Sequence, residues 1–335
     1  MKQLQHAIEL GATMYIPATH EQLWEVTEGI KFPILKSIAV CLEDAVLEKD
    51  VQTAMVNLKL LLQKRLEQPN LKAPAMFIRP RNIEMAKHIV DWDLNHTYSG
   101  MILPKFTLHD LTQWMEVLPA NLNLMPTLET KEIFDMGHNI ELSKALKYDF
   151  HKTLCLRIGG NDLLSCLHLR RPKNSTIYQT PVGILISQLA GLFIPAGFQL
   201  SSPVCEHIDR TQLLIDELYQ DMNNGIHTKT AIHPSQIPII HHAFQVNAEE
   251  FYEAQQILSQ DAKSVFKSHG SMLEPATHRN WAEMILLRYQ TFGLSKTHLA
   301  HHTEGAIAYL CLIKRLGLNA YSFIALHFNC WTDTF

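Results

Sequence analysis

Short apolar runs alternate with longer, mixed segments along most of the chain, which is the pattern of strands alternating with helices. Two neighbouring parallel strands need a long crossover connection, usually a helix, so this rhythm predicts a parallel sheet. The eight predicted strands cover residues 12–18, 37–42, 75–78, 100–103, 122–125, 153–158, 197–200 and 230–232.

The segments between these runs have the periodicity of amphipathic helices. Residues 211–222 repeat leucine and methionine at helical spacing, and residues 49–66 place an apolar stripe on one face at Val51, Ala54, Met55, Leu58, Leu61 and Leu62. Asn247 predicts the start of a further helix, because its side chain can cap the first turn. Glu249 and Glu250 follow it, where carboxylates interact favourably with the helix dipole.

Eight strand–helix units that close on themselves form a (β/α)₈ TIM barrel, and this is the predicted fold, with additional helices at the carboxyl end. An open doubly wound sheet is the alternative. Its dinucleotide-binding version lacks support, because neither a Gly-x-Gly-x-x-Gly motif after the first strand nor a P-loop occurs. The predicted domains are a barrel over residues 1–240, a helical extension over 241–295 and a tail of unknown role over 296–335.

Composition narrows the class of protein. The net charge of −4 and the pI near 6.5 provide no basic surface for nucleic acid or an anionic membrane. Six cysteines are scattered without a Cys-x-x-Cys pair, so we expect reduced, buried thiols in a cytoplasmic protein. The apolar stretch 182–197 is short for a membrane span, and the stretch 306–326 carries Lys314 and Arg315 in its middle.

Polar residues follow the predicted strands at the point where each strand ends. In a TIM barrel these carboxyl ends meet on one face, where active sites lie. Two carboxylates delivered from neighbouring strand ends suit Mg²⁺, which takes one or two carboxylates together with water and substrate oxygens. We therefore expect one site built from Glu43 and Asp44 after strand two, Arg79 after three, Lys105 after four, Glu129 after five, Asp162 after six and His233 after eight.

Seven short motifs extend this pattern in a fixed order between about residues 11 and 290. They are Tyr15-Ile-Pro-Ala, Leu42-Glu-Asp-Ala-Val46, Ile78-Arg79 with Asn82, Leu103-Pro-Lys105, Leu128-Glu-Thr130, Gly159-Gly-Asn-Asp-Leu163 and Lys229-Thr-Ala-Ile-His-Pro-Ser-Gln-Ile237. In this order they resemble the citrate lyase β-subunit family, within the HpcH/HpaI aldolase group. The start of the first strand resembles in particular a branch of predicted TIM-barrel C–C bond lyases associated with tellurium-resistance gene clusters.

The resemblance implies roles for these residues and an activity. Glu129 and Asp162 would bind Mg²⁺ or Mn²⁺, Arg79 would contact the substrate, and Glu43 and Asp44 would support the metal's waters and the arginine. The implied reaction is cleavage of a C–C bond next to a carbonyl in a 3-hydroxy acid or its citryl- or malyl-like CoA thioester, through an enolate. The implied partners are a small carboxylic acid or acyl-CoA and further copies of the chain, with neither nucleic acid nor membrane.

Several positions depart from the family pattern. Arg81 follows Arg79 closely, so two arginines compete for one role, and Asn161 stands where an acid commonly precedes Asp162. Thr228 replaces a glycine before Lys229, which leaves it open whether CoA forms part of the substrate. Arg157 lies in the middle of a strand where apolar residues are usual, and it is either an extra contact for an anion or half of a buried ion pair.

Alternatives remain at the level of mechanism. Asp44 is a candidate general base, although we expect two neighbouring cations to lower its pKa and weaken it as a base. A water or a group from another subunit is the other choice. Lys105 suggests a Schiff-base aldolase instead. A metal bound by Glu129 and Asp162 would make such an imine unnecessary. A thioester hydrolase on the same scaffold and a barrel with a binding or assembly role are the competing functions, because fold alone does not choose between them.

Overall fold

The computed structural model describes residues 4–149 and 152–295. The chain divides into two compact units, Met1–Ile240 and His241–Phe335. The predicted tail over residues 296–335 lies outside the described residues.

The first unit contains an eight-stranded parallel sheet, which confirms the predicted strand count and fold class. Its strands are β1 (Ala12–Pro17), β2 (Ser37–Cys41), β3 (Ala75–Arg79), β4 (Gly100–Leu103), β5 (Asn123–Leu128), β6 (Leu156–Ile158), β7 (Leu200–Ser201) and β8 (Lys229–Ala231). The strands follow one another around the sheet in sequence order, with β1 also paired to β8.

The barrel closes through a short contact between its last two strands. Ser202, directly after β7, forms a parallel bridge with Lys229 of β8. The Ser202 amide donates to the Thr228 carbonyl at 2.9 Å, and the Thr230 amide donates to the Ser202 carbonyl at 3.3 Å. Closure removes the open edges that a sheet would otherwise present, and the open doubly wound alternative is wrong.

Helices occupy the segments between the strands, and α9 follows β8. They are α1 (Leu23–Thr27), α2 (Val51–Glu67), α3 (Ile83–Val90), α4 (Leu111–Val117), α5 (Met136–Asp149), α6 (Gly160–Cys166), α7 (Pro181–Phe193), α8 (Thr211–Asn223) and α9 (Gln236–Ala243). The apolar stretch that begins at residue 182 forms α7, most of whose residues are buried. Its hydrophobicity therefore reflects burial within the protein.

The sequence misplaced the seventh strand. The run 197–200 predicted it, whereas β7 is Leu200–Ser201. Gly197 has a φ of +98°, a conformation that glycine adopts without a Cβ penalty, so the chain is still turning there after α7. A strand this short carries too weak a periodic signal for its bounds to be located.

The amino-terminal end of the barrel is filled by apolar side chains. The short 3₁₀ helix Ala7–Leu10 packs there with residues from the starts of the strands, and Tyr15 of β1 packs against this cluster. The buried members are Leu4, Ala7, Leu10, Ala39, Ala75, Phe77, Ile102, Met125, Leu154 and Cys155. The filled end leaves the carboxyl ends of the strands as the open end of the barrel.

The described part of the second unit combines α10 (Ala248–Leu258) and α11 (Pro275–Phe292) with an antiparallel hairpin of β9 (Phe266–Ser268) and β10 (Ser271–Leu273). Asn247 caps α10 by accepting a hydrogen bond from the Glu250 amide at 2.7 Å, which confirms the predicted helix start. The predicted extension was purely helical, and the hairpin was missed because its strands are only three residues long.

Of the cysteines that the structure describes, Cys41, Cys155 and Cys205 are buried free thiols, as predicted. Cys166 is exposed at the end of α6, so the expectation of burial is wrong at this position.

Candidate active site

Arg79 is the last residue of β3, and its guanidinium lies buried among carboxylates. Its Nε donates to Glu43 Oε2 at 2.6 Å, and its Nη2 donates to Glu129 Oε1 at 3.0 Å. Asp44 Oδ2 lies 3.8 Å from Nη2. The planar guanidinium can meet carboxylates from several directions at once. Arg79 thus joins the exits of β2, β3 and β5 into one charged cluster.

Glu129 directly follows β5 and is buried, with its two oxygens in different environments. Oε1 accepts from Arg79 and from the Lys105 backbone amide, the latter at 2.7 Å. Oε2 accepts no hydrogen bond from the described part of the chain. A Cβ added to Gly159 would lie 2.4 Å from Oε2, so only glycine fits beside it. One carboxylate oxygen is therefore fixed, and the other has no hydrogen-bond donor among the described residues.

Lys105 stands at the exit of β4 with a positive φ of +48°. Its Nζ lies 3.1 Å from Glu43 Oε1 and 3.8 Å from Asp44 Oδ1. The bond to Glu43 raises the pKa of Lys105. A Schiff-base lysine needs the opposite, a desolvated amine with a lowered pKa, so this environment favours the metal-site interpretation over the imine alternative.

Asp162 lies in the first turn of α6, directly after β6, and is partly buried. Burial raises the pKa of Asp162 against the attraction of Arg79 and Lys105, and Glu43 raises it further. Asp162 in turn raises the pKa of Glu129 by repulsion. The two predicted metal ligands are therefore close enough to repel one another electrostatically.

The pKa values of the adjacent residues Glu43 and Asp44 are shifted in opposite directions. Burial would raise the pKa of Glu43, but Arg79 and Lys105 outweigh burial and lower it. The pKa of Asp44 is raised, first by its partial burial and then by Glu43, against Lys105 and Arg79. The expected lowering of the Asp44 pKa is thus wrong, because burial and the neighbouring Glu43 together outweigh the two cations.

The donor set suits Mg²⁺. All four acids are hard oxygen donors, and they outnumber the two cations of the cluster, so a divalent cation would neutralise the surplus. The described residues contain no group of three or more His, Cys, Asp or Glu side chains arranged to hold a metal ion. Glu129 and Asp162 would thus supply two ligands, and water or substrate oxygens the others, which is the usual arrangement for Mg²⁺.

Without a metal, Glu129 is expected to make stability pH-dependent. Burial chiefly, and repulsion from Asp162, raise its pKa from 4.5 to about 7 against the attraction of Arg79. Between pH 4.5 and about 7 the folded state then binds more protons than the unfolded state. The free energy of unfolding therefore falls as the pH rises through this range, by about 3 kcal/mol in all. Urea unfolding between pH 5 and 8 in chelator measures this. Glu129→Gln should lack the decline and Mg²⁺ should abolish it in the wild type; identical profiles in both proteins would contradict the expectation.

The structure separates the two arginines that follow β3. Arg81 Nε donates to the Leu42 carbonyl at 2.9 Å and Arg81 Nη1 lies 2.5 Å from Glu48 Oε2, so Arg81 anchors the loop after β2. The competition expected between the two is therefore resolved in favour of Arg79 as the residue inside the cluster. His233 follows β8 as predicted and makes a local contact, with Nδ1 2.7 Å from Ser235 Oγ.

Two residues near the cluster were missed by sequence reasoning. Thr127 Oγ1 lies 3.4 Å from Arg79 Nη1. Against the effect of burial, Tyr15 is the second group, after Glu129, that raises the pKa of Arg79. Thr127 stands two positions before Glu129 in β5, and alternate residues of a strand face the same side. That spacing could have identified Thr127, whereas Tyr15 required the closed barrel.

A known protein family matches nearly the whole described part of this chain. The model of a family described as C–C bond lyases of the TIM-barrel fold matches residues 4–294. The chain belongs to this family. Membership confirms the predicted C–C bond lyase class and the predicted relation to citrate lyase β-subunit-like proteins. No curated protein sequence matches the chain.

Solved structures share the family's fold. CitE of Mycobacterium tuberculosis, in complex with magnesium, acetoacetate and coenzyme A, is 20% identical, with a TM-score of 0.61 over 84% of this chain and 99% of that one. The citrate lyase β subunit of M. tuberculosis, complexed with oxaloacetate and magnesium, is 18% identical, with a TM-score of 0.52 over 70% of this chain and 98% of that one. RipC of Yersinia pestis is 17% identical, with a TM-score of 0.52 over 72% of this chain and 98% of that one.

Within residues 4–149 and 152–295, no helix combines the length and the apolar character needed to cross a bilayer.

Proposed function

We propose that the protein is a Mg²⁺-dependent C–C bond lyase that cleaves a 3-hydroxy acid, or its CoA thioester, through an enolate intermediate. The observation that carries this proposal is the asymmetry of Glu129. Arg79 and the Lys105 amide hold Oε1, while Oε2 accepts no hydrogen bond from the described residues and is left for a ligand. The magnesium, oxaloacetate and acetoacetate in the M. tuberculosis structures support the same class of ligand here.

Glu129 and Asp162 would hold the Mg²⁺, or Mn²⁺ in its place. Bound there, the ion supplies Lewis-acid polarisation and positive charge for the oxygens of the substrate. Among the described residues, Arg79 Nη1 makes only the long 3.4 Å contact with Thr127, so this donor is the one available to a substrate carboxylate or to developing negative charge. Lys105, half-exposed beside Asp44, would contact the same substrate from the open end.

Cleavage begins with loss of the proton from the 3-hydroxyl group. The bond between carbons two and three then breaks, carbon three becomes a carbonyl, and the electron pair forms the enolate of the other fragment, which is finally protonated at carbon two. Asp44 is the base in this proposal, since its carboxylate is 63% exposed and its pKa is raised, by partial burial first and by Glu43 second, against the effect of both cations. Glu43 is buried and holds Arg79 and Lys105 in position.

A product assay tests the proposal. The protein is incubated with Mg²⁺ and a panel of 3-hydroxy acids, both free and as CoA thioesters, and the products are identified by mass spectrometry. We expect a keto acid or an aldehyde from at least one compound, and no product in chelator. Free CoA without carbon loss would instead identify a hydrolase. Absence of both products would favour a binding or assembly role. The assay does not test the predicted homo-oligomer, which stays a prediction.

A further inference from the structure

Lys105 has a left-handed backbone conformation, with a φ of +48°, which is unusual for a residue that carries a Cβ. In the described ranges, the other non-glycine residues with positive φ are Asp93, His168 and His269. For such a residue this conformation lowers the ratio of folded to unfolded protein by about 5- to 30-fold, and glycine avoids most of that cost. A lysine where glycine would fold better is a local outlier, and such outliers cluster at functional sites.

The backbone amide of Lys105 is used outside its own turn. It donates to Glu129 Oε1 at 2.7 Å, a side chain 24 positions further along the chain. Asp93 provides the contrast, because its amide donates at 3.0 Å to the carbonyl of Val90, three residues earlier. A left-handed residue therefore closes a local turn at position 93, whereas at position 105 it directs a donor into the charged cluster.

The sign of φ at position 105 determines the direction of this donor. Pro104 and Lys105 form the turn after β4, and proline followed by a residue with positive φ is the arrangement at the centre of a type II turn. In a type I turn the second residue has a negative φ, and the peptide between the two residues is rotated by about half a turn. The Lys105 N–H belongs to that peptide, so a negative φ would direct it away from Glu129.

The turn is also held against β5 by the next residue. The Phe106 amide donates to the Thr127 carbonyl at 3.2 Å, and the Phe106 side chain is fully buried. Two successive amides of the turn thus bond to β5 and to the residue after it, Glu129. Because Phe106 is anchored, the turn cannot shift as a whole to restore a lost bond from position 105.

This donor restricts the orientation of the Glu129 carboxylate. Rotation about its last bond would exchange the two oxygens, and Arg79 Nη2 and the Lys105 amide oppose that rotation by both bonding Oε1. Arg79 also bonds Glu43, so the amide is the donor committed to Glu129 alone. Partners that orient a metal ligand from behind contribute about 10- to 100-fold to metal affinity.

The side chain of Lys105 explains why glycine does not occupy the position. Its Nζ lies 3.1 Å from Glu43 Oε1 and 3.8 Å from Asp44 Oδ1. Glycine would supply the same amide in the same conformation but no ammonium group for these acids. One residue therefore serves Glu129 through its backbone and the Glu43–Asp44 pair through its side chain.

We propose that Lys105 is a positioning residue whose left-handed backbone aims its amide at Glu129 and so fixes which carboxylate oxygen faces the metal. This inference rests on the proposed function, because Glu129 is taken to bind Mg²⁺. It assigns the effect to a backbone conformation, which a comparison of substitutions at one position can isolate.

Lys105→Gly and Lys105→Val test the inference as a matched pair, because both lack the ammonium group. Glycine adopts positive φ readily, whereas a β-branched residue there is a genuine outlier. In calorimetric titration with MgCl₂, we expect Lys105→Gly to bind the ion about 10- to 100-fold more tightly than Lys105→Val. If Lys105→Val does not fold, Lys105→Ala takes its place, and its affinity should also lie below that of Lys105→Gly.

Hydrogen exchange followed by NMR in chelator tests the amide bond without the metal. After correction for intrinsic rates, the amide at position 105 should exchange at least about 10-fold more slowly in Lys105→Gly than in Lys105→Val, since a hydrogen bond to a carboxylate protects it only in the first. Asp93→Gly and Asp93→Val are the controls. Asp93 is exposed with a φ of +57°, so these two variants should differ in stability and bind Mg²⁺ equally.

Equal exchange at position 105 in folded Lys105→Gly and Lys105→Val would overturn the inference, as would equal Mg²⁺ affinity in the two. A purely structural role gives that result, with a difference in urea stability alone. If such equality accompanies a lyase product from the wild type, the proposed function stands while the positioning role fails. If the exchange rates differ as expected and the wild type neither binds Mg²⁺ nor forms a product, the amide positions Glu129 while the proposed function fails.

Discussion

Replacing Glu129 by Gln, or Asp162 by Asn, is expected to weaken Mg²⁺ binding at least about 100-fold, since loss of even an outer-shell partner typically costs 10- to 100-fold. Each change removes one of the two carboxylates that the site offers, and an amide contributes no charge. Glutamine keeps an oxygen for Arg79 and the Lys105 amide, which hold Glu129 Oε1 at 3.0 Å and 2.7 Å, so the fold should survive. Calorimetric titration with MgCl₂ provides the measurement.

Glu48→Gln is the control for this pair of variants. Glu48 is exposed and pairs with Arg81 at the loop after β2, so the substitution removes one negative charge outside the cluster. We expect wild-type Mg²⁺ affinity in this variant and wild-type circular dichroism in all three. Wild-type affinity in Glu129→Gln or Asp162→Asn would show that the metal binds elsewhere.

The location of this site followed from the sequence because of one property of parallel barrels. Strands that run in one direction end on one face, so polar residues at successive strand exits converge even when they are far apart in the chain. Arg79 and Glu129 are 50 positions apart and share a hydrogen bond. Periodicity located the strand exits, and the ordered motifs that resemble the citrate lyase β-subunit family identified which polar residues there belong to the site.

Other properties depend on distances that periodicity does not contain. The pKa of Asp44 is raised although two cations are near, because partial burial first, and the charge of Glu43 second, outweigh the attraction of Lys105 and Arg79. Arg81 is separated from Arg79 by one residue, and only the path of the loop after β2 directs it away from the cluster. The ring of Tyr15 lies 5.4 Å from Arg157 Cζ across the barrel interior, which exists only after β7 and β8 close the sheet.

Replacing Arg79 by Met is expected to reduce lyase activity by about 10²- to 10³-fold or more, the effect of losing one preorganised donor to developing negative charge. Stability should fall as well. Arg79 is the cation between Glu43 and Glu129, and breaking a buried ion pair by removing one partner costs about 3–5 kcal/mol. Loss of activity alone would therefore not distinguish a catalytic role from unfolding.

The double variant Arg79→Met/Glu43→Gln separates the two effects. Removing the Glu43 charge relieves the repulsion that Arg79 had compensated, so the double variant should be more stable than Arg79→Met while remaining as inactive. Arg65→Met should behave in the opposite way, because Arg65 pairs with Glu28 away from the cluster: it should lose stability and keep activity at a temperature where it is folded. Urea unfolding and the product assay, run on the same preparations, measure both quantities. Recovery of activity together with stability in the double variant would contradict the role of Arg79 in substrate binding, because it would show that the guanidinium serves only to neutralise Glu43.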